Sequence, residues 1–177
     1  MMRKRRARPA ARRQVSPAVD IVVASPLWAT QRSIKRLLRR AIGEAASVTS
    51  TAVGELAIVL TDDSAIRTLN RDWRSRDAAT NVLSFPTPET DHPHGTPRLL
   101  GDIVIAYETT EREARAENKP FAHHAAHLAV HGFLHLAGTI TPRTSKRPQW
   151  KTLKQQSLLA STCPILTLRA VRPSLHV

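Results

Sequence analysis

The reading of this chain turns on the run His127-Leu128-Ala129-Val130-His131-Gly132-Phe133-Leu134-His135-Leu136-Ala137-Gly138. His131 and His135 are four residues apart, which on a helix places them one turn apart on the same face, a spacing used to grip metal ions. The flanking residues are apolar and helix-like, so the run predicts a helix near residues 120–137 with the pair on a buried wall. His124 and His127 fall on the same side, and spacing alone does not choose the ligand pair. Gly132 is a second signal. A glycine inside a helix costs about 1 kcal/mol relative to alanine, so it admits something close to the backbone. Zinc prefers neutral imidazole nitrogens, and two of them seldom hold it without a third ligand. A hydrolytic zinc ion keeps one position open for a water whose pKa falls to about 7.

Working outward, Pro120 opens this helix and Gly138 closes it as a C-cap. Leu99–Ala106 reads as a strand interrupted by Asp102, and Thr109 or Thr110 opens a helix that runs through Glu117. Upstream, Val19–Ala24 and Glu55–Leu60 are β-branched or apolar strand candidates, and Asn81–Phe85 is a short strand stopped by Pro86. A helix over Gln31–Ala46, capped by Thr30, carries the stripe Ile34, Leu37, Leu38, Ala41 and Ile42. Asp62 or Asp63 caps another, with Ala65, Ile66, Leu69 and Trp73 on its apolar side. Four prolines between Pro86 and Pro97, with His92, His94 and Gly95, mark an exposed loop. Strands alternating with helices predict an α+β domain, an α/β sandwich with a small mixed sheet of about four strands packed by helices.

The formal charge of +13 over 177 residues suggests nucleic acid, but its distribution matters more. Residues 1–13 and residues 139–177 each carry seven Arg or Lys and no acid. The remaining thirteen bases, in residues 14–138, face all fourteen acids, so the middle is close to neutral. Residues 1–17 read as a basic flexible arm, able to supply non-specific phosphate attraction. Cys163 is the one cysteine, which excludes an internal disulfide and fits a reducing compartment. No run approaches the roughly 18 apolar residues of a membrane helix. Asp20 and Pro26 spoil Val19–Trp28 as a signal-peptide core, so the expected location is the cytoplasm.

Three further stretches then fall into place with the histidine run: Leu69-Asn70-Arg71-Asp72-Trp73-Arg74, Ala79-Thr80-Asn81-Val82-Leu83-Ser84-Phe85-Pro86, and Leu100-Gly101-Asp102-Ile103-Val104-Ile105, followed by His131-Gly132-Phe133-Leu134-His135-Leu136. In this order they closely resemble the YbeY family, bacterial metal-dependent endoribonucleases of ribosomal RNA maturation. The resemblance covers residues 19–138, and the domain it implies is 18–138. It implies one zinc ion held by three histidines in the pattern H-G-x-L-H-x-x-x-x-x-H, of which His131 and His135 match the first two. It also implies that Arg74 meets the phosphate in the cleft, where a guanidinium can hold a phosphoryl oxygen through two hydrogen bonds. Thr80, Asn81 and Ser84 would shape that cleft. Asp102 would support a ligand or serve as a local hydrogen-bonding residue beside a glycine turn, and His127 would be structural or support the ligands from behind. The implied activity is single-strand-specific cleavage at the 3′ end of 16S ribosomal RNA and in ribosome quality control. The implied partners are ribosomal RNA and small-subunit proteins, and the implied state is a monomer.

The pattern breaks after Gly138. The family continues with Tyr or His, then Asp-His and an acidic helix; here Thr139-Ile140-Thr141 leads into a Lys/Arg/Pro/Ser-rich stretch, and Thr141 stands at the third-ligand position. Thr is ACN and Ile is ATH, so reading from the third base of the Gly138 codon yields NAC, NAT and HAC, which admit Tyr-Asp-His or His-Asp-His. Gln149-Trp150-Lys151 read in the same shifted frame admits Met-Glu. Residues 139–177 therefore read as an aberrant tail produced by a one-base frameshift. Cys163 is a poor substitute ligand, and His92 and His94 are better ones. The expected consequences are low metal affinity, exposed apolar surface and a polypeptide of reduced activity. The alternative is a non-catalytic RNA- or ribosome-binding module that keeps the fold. A zinc protease is disfavoured, because Gly132 stands where its general-base Glu would be.

Overall fold

Trp28 shows how the chain closes on itself. In the computed structural model, which describes residues 16–49, 54–88 and 98–140, its ring is almost fully buried and its Nε1–H donates to the Thr61 carbonyl at 2.8 Å. The ring meets Tyr107 edge-on at 5.3 Å and Phe121 at 5.4 Å. A tryptophan buries a large apolar body only when its N–H finds an acceptor. Here the acceptor is the last residue of a central strand, so three segments distant in sequence are pinned at one end of the sheet.

The order is β1 (Ala18–Val23), a 3-10 turn (Pro26–Thr30), α1 (Ile34–Thr49), β2 (Glu55–Thr61), α2 (Asp63–Arg74), β3 (Val82–Pro86), β4 (Leu99–Ala106), α3 (Tyr107–Ala116) and α4 (Phe121–Leu136). The sheet runs β1-β2-β4-β3, with β1, β2 and β4 parallel and β3 antiparallel to β4 at the edge. This is the mixed four-strand α+β arrangement expected from the alternation of strands and helices. Six consecutive residues of β2, Leu56–Thr61, are buried, as a parallel strand covered on both faces should be.

Leu56, Ile58 and Leu60 of β2 and Ile103 and Ile105 of β4 share one cluster with Ile34, Leu38 and Ile42 of α1 and Ala125, Ala129 and Phe133 of α4. Val59, Val104 and Leu83 are also buried but stand outside that cluster. They lie on the opposite face by the two-residue alternation of a strand, where α2 packs on β3 and β4.

Two boundaries differ from the sequence reading. The 3-10 turn takes up Pro26–Thr30, so α1 begins at Ile34 rather than under a Thr30 cap. α3 begins at Tyr107, and neither Thr109 nor Thr110 is its N-cap. Its first turn is capped from another helix instead. Asp63 accepts from the Thr109 backbone N–H at 3.0 Å and from its hydroxyl at 2.9 Å, while the Asp63 N–H donates to Glu108 at 2.8 Å. Each helix start supplies a carboxylate to the other's orphan N–H groups, which satisfies both without a local cap. Asp62 does cap α2 as expected, accepting from Ala65 N–H at 2.9 Å.

Gly101 lies inside β4, at the register irregularity where Glu55 faces Leu99 and Leu56 faces Gly101, rather than in a turn. Its φ is +139°, and a Cβ there would stand 2.2 Å from the Phe85 carbonyl oxygen. Gly138 also has a positive φ, 71°, but a Cβ there meets nothing within 4 Å. Gly101→Ala should therefore lose about 3 kcal/mol, combining backbone strain with overpacking. Gly138→Ala should lose roughly 1 kcal/mol, from backbone conformation alone. Urea unfolding of the two variants checks the order, and equal losses would contradict it.

Candidate functional site

The buried stripe of α4 is His124, Ala125, Leu128, Ala129, Gly132, Phe133 and Leu136. Gly132 sits where the helix comes closest to the sheet. A Cβ added there would lie 2.9 Å from Ile103 Cγ2 and 3.0 Å from Ser84 Oγ. What the glycine admits is thus the sheet itself, and Ser84 lies beneath the helix. The stripe leaves His131 exposed and His135 half-buried on its rim, so the expectation of a buried wall for the pair is corrected.

The two imidazoles converge. His131 Nε2 and His135 Nε2 are 3.1 Å apart, with ring centroids at 4.6 Å and planes at 85°. At that distance one ring's Nε2–H can donate to the other's Nε2, and the separation is also close to the roughly 3.3 Å of two nitrogens on one tetrahedral zinc at about 2.05 Å. His135 Nδ1 lies 3.1 Å from the Ile140 carbonyl, which can only accept, a contact that favours the tautomer with its proton on Nδ1 and a lone pair at Nε2.

The chain reaches that position through the helix end. Gly138 N–H bonds to the His135 carbonyl at 3.2 Å and Thr139 N–H to the Leu134 carbonyl at 3.0 Å. With Gly138 in the left-handed region this is a Schellman cap, which folds residues 139–140 back over the last turn. The sequence reading foresaw Gly138 as a cap but not its service to His135. Although its ring is exposed, partial desolvation by the neighbouring packing first, then the nearby His135 and His127, lowers His131 from the usual imidazole value, which favours the neutral form.

The remaining histidines separate from this pair. His124 is buried on the stripe, with Nε2 2.9 Å from Glu113 Oε2. Asn81 Nδ2 donates to both oxygens of the same carboxylate, at 3.2 and 2.9 Å, and Asn81 Oδ1 accepts from Val82 N–H at 2.7 Å. Asn81 therefore ties the start of β3 to Glu113 of α3 and, through that carboxylate, to His124 of α4. The sequence reading missed this three-residue network because its links span 32 and 11 positions and join separate elements. His127 is exposed and lies parallel to His124 at 6.4 Å.

Arg74 is the last residue of α2 and is exposed. Among the described residues its guanidinium makes no hydrogen bond or ion pair, whereas Arg67 is held by both oxygens of Asp77 and Arg71 by Asp72. No direct contact joins Arg74 to either histidine among the described residues. β3 lies between them: Phe85 meets Trp73 edge-to-face at 5.7 Å, and the adjoining Ser84 abuts Gly132. Asp102 is half-buried on β4, opposite Phe85. Among the described residues no group of three or more His, Cys, Asp or Glu stands ready to hold a metal. Thr141, His92, His94 and Cys163 lie outside the described residues, as do the basic arm up to residue 15 and the tail from residue 141.

Fold and site define an α+β domain whose last described helix presents two converging imidazoles, His131 and His135. The family model described as endoribonuclease YbeY matches residues 25–158, a span that runs past Gly138. An endoribonuclease YbeY of Rhodopseudomonas palustris strain BisB18 is 45% identical over 150 residues, covering 82% of this chain and 89% of that protein. Those of R. palustris strain BisA53 and of Bradyrhizobium strain BTAi1 are 51% and 50% identical, covering 70% and 69% of this chain and 74% and 75% of theirs. This chain belongs to the endoribonuclease YbeY family. The solution structure of TM1509 from Thermotoga maritima superposes with a TM-score of 0.42 at 21% identity, over 90% of this chain and 99% of that one. No helix among the described residues is long and apolar enough to cross a membrane.

The tautomer is directly measurable. Long-range 1H–15N correlation spectra of the metal-free protein should show the His135 proton on Nδ1. A proton found on Nε2 would remove the role assigned to Ile140.

Proposed function

We propose that this domain is a zinc-dependent, single-strand-specific endoribonuclease of 16S ribosomal RNA maturation and ribosome quality control. It would work as a monomer in the cytoplasm, with ribosomal RNA and small-subunit proteins as its partners. The observation that supports the metal most directly is the convergence of the His131 and His135 Nε2 atoms at 3.1 Å. Zinc, when bound, supplies the Lewis acidity that makes water a competent nucleophile near neutral pH. The chain's own residues supply the rest. His131 and His135 would hold the ion, and the Ile140 carbonyl favours the ligand tautomer of His135. Arg74, with no carboxylate to neutralise it among the described residues, offers two parallel N–H donors to a phosphate and offsets charge that builds during cleavage.

A protein site that carries catalysis normally offers three ligands and leaves one position open. Two histidines are present and Thr141 stands at the third position, so we attribute residues 139–177 to a one-base shift in the coding sequence. The same shortfall favours the second reading, a non-catalytic RNA- or ribosome-binding module, because the described residues hold no group of three or more candidate ligands.

Metal analysis and RNA cleavage separate the two. The chain as written should hold zinc well below one ion per chain and cleave slowly, while Thr141→His should approach one ion per chain and gain cleavage. His131→Ala in that background should abolish both. Arg74→Ala should leave zinc in place and reduce kcat by about 100-fold or more, the scale for losing one donor to developing charge. Cleavage-incompetent Thr141→His protein with a full complement of zinc would favour the binding module. Resequencing the gene tests the shift itself: an intact frame, with no Tyr-Asp-His or His-Asp-His one base over, ends that proposal.

A further inference from the structure

Trp73 is the one aromatic residue among the large apolar side chains that remain exposed in the described residues, at 46%. α2 does not need it for its seat on the sheet, since Ile66 and Leu69 are the apolar residues it buries. The indole is nevertheless held in place. It meets Phe85 of the edge strand at a centroid distance of 5.7 Å and an interplanar angle of 66°, an edge-to-face contact that steadies the ring without covering both faces. Its chain neighbour is Arg74, and Arg76 follows two residues later; neither guanidinium has a side-chain partner among the described residues. A braced, half-exposed aromatic ring beside unneutralised cations matches a strand that offers flat bases and a phosphate at every step.

The position fits too. Phe85 pairs with Asp102, and its carbonyl lies over Gly101, against which Leu136 packs one residue after His135. Ser84 turns toward α4 and Phe85, by alternation, toward α2. The ring and the histidine pair therefore flank the same end of β3, on its two faces.

We propose that Trp73, braced by Phe85, is the stacking platform for one unpaired base of the bound RNA, with Arg74 on an adjacent phosphate. The proposal rests on the nuclease reading and deepens it, because a base can lie on Trp73 only if it has left its own stack. That requirement gives the site its preference for single strands.

The test uses the full chain in chelator, so that cleavage does not intrude, and a labelled single-stranded oligoribonucleotide read by fluorescence anisotropy. It is compared with the same oligonucleotide carrying one abasic position, moved stepwise along the strand. At one register, wild-type protein should bind the intact strand about tenfold more tightly than the abasic one, the scale of one base–aromatic stack. Trp73→Ala should bind both at the weaker level, Trp73→Phe should restore the preference, and Arg74→Ala should weaken both alike. An unchanged cooperative urea-unfolding transition verifies folding of each variant. Wild-type protein that binds RNA with no abasic penalty at any register overturns the platform and leaves the RNA reading standing, as does a folded Trp73→Ala that keeps the preference. Wild-type protein that binds neither oligonucleotide overturns both.

Discussion

The site depends on one close approach, the backbone of α4 against Ile103 and Ser84 at Gly132. Any side chain there would push the helix away from the sheet by the radius of a methyl group or more, and well-packed interiors absorb such shifts poorly. Because the contact falls one residue after His131 and three before His135, it sets the height of both rings above the edge strand. The helix-stabilising alanine is excluded for a tertiary reason, and the local propensity penalty is offset by contact with β4.

The ends of the elements are held by groups borrowed from elsewhere. α2 and α3 cap each other through Asp63 and Glu108, and the Schellman turn at Gly138 lets a backbone carbonyl orient an imidazole. The Trp28–Tyr107–Phe121 cluster closes the opposite end of the sheet. In a chain with only seven aromatic residues, three make that cluster and two more form the Trp73–Phe85 pair. Five aromatic residues thus sit at the two ends of the sheet, while Phe133 joins the aliphatic side chains of the central cluster.

Much of the architecture was legible because it follows from local periodicity. The apolar run of β2, the stripe of α1 and the Asp62 cap are properties of short windows, and each was read within a few residues of its observed position. The His131–His135 spacing was legible for the same reason, whereas Arg74 stood out only through the family motif that contains it. The α3 start was misplaced because its cap comes from Asp63, some 46 positions away. His124 fell in line with the other histidines on a helical projection, but only packing against Glu113 separates it from the ligand pair. For Asn81 the motif was visible and the partner, Glu113, was not.

Taken alone, the sequence determined which segments are helix or strand, that the fold is α+β, and that two imidazoles share a helix face next to a glycine. Those properties depend on residues a few positions apart, and the 2- and 3.6-residue periods of the backbone expose them. Tertiary structure decided which histidine is buried and which tautomer of His135 is favoured. It also left Arg74 without a carboxylate partner among the described residues and set Trp73 against Phe85 beside it. Those outcomes depend on groups that approach one another only when the sheet and its helices assemble, and no local pattern encodes which distant carbonyl or carboxylate will arrive.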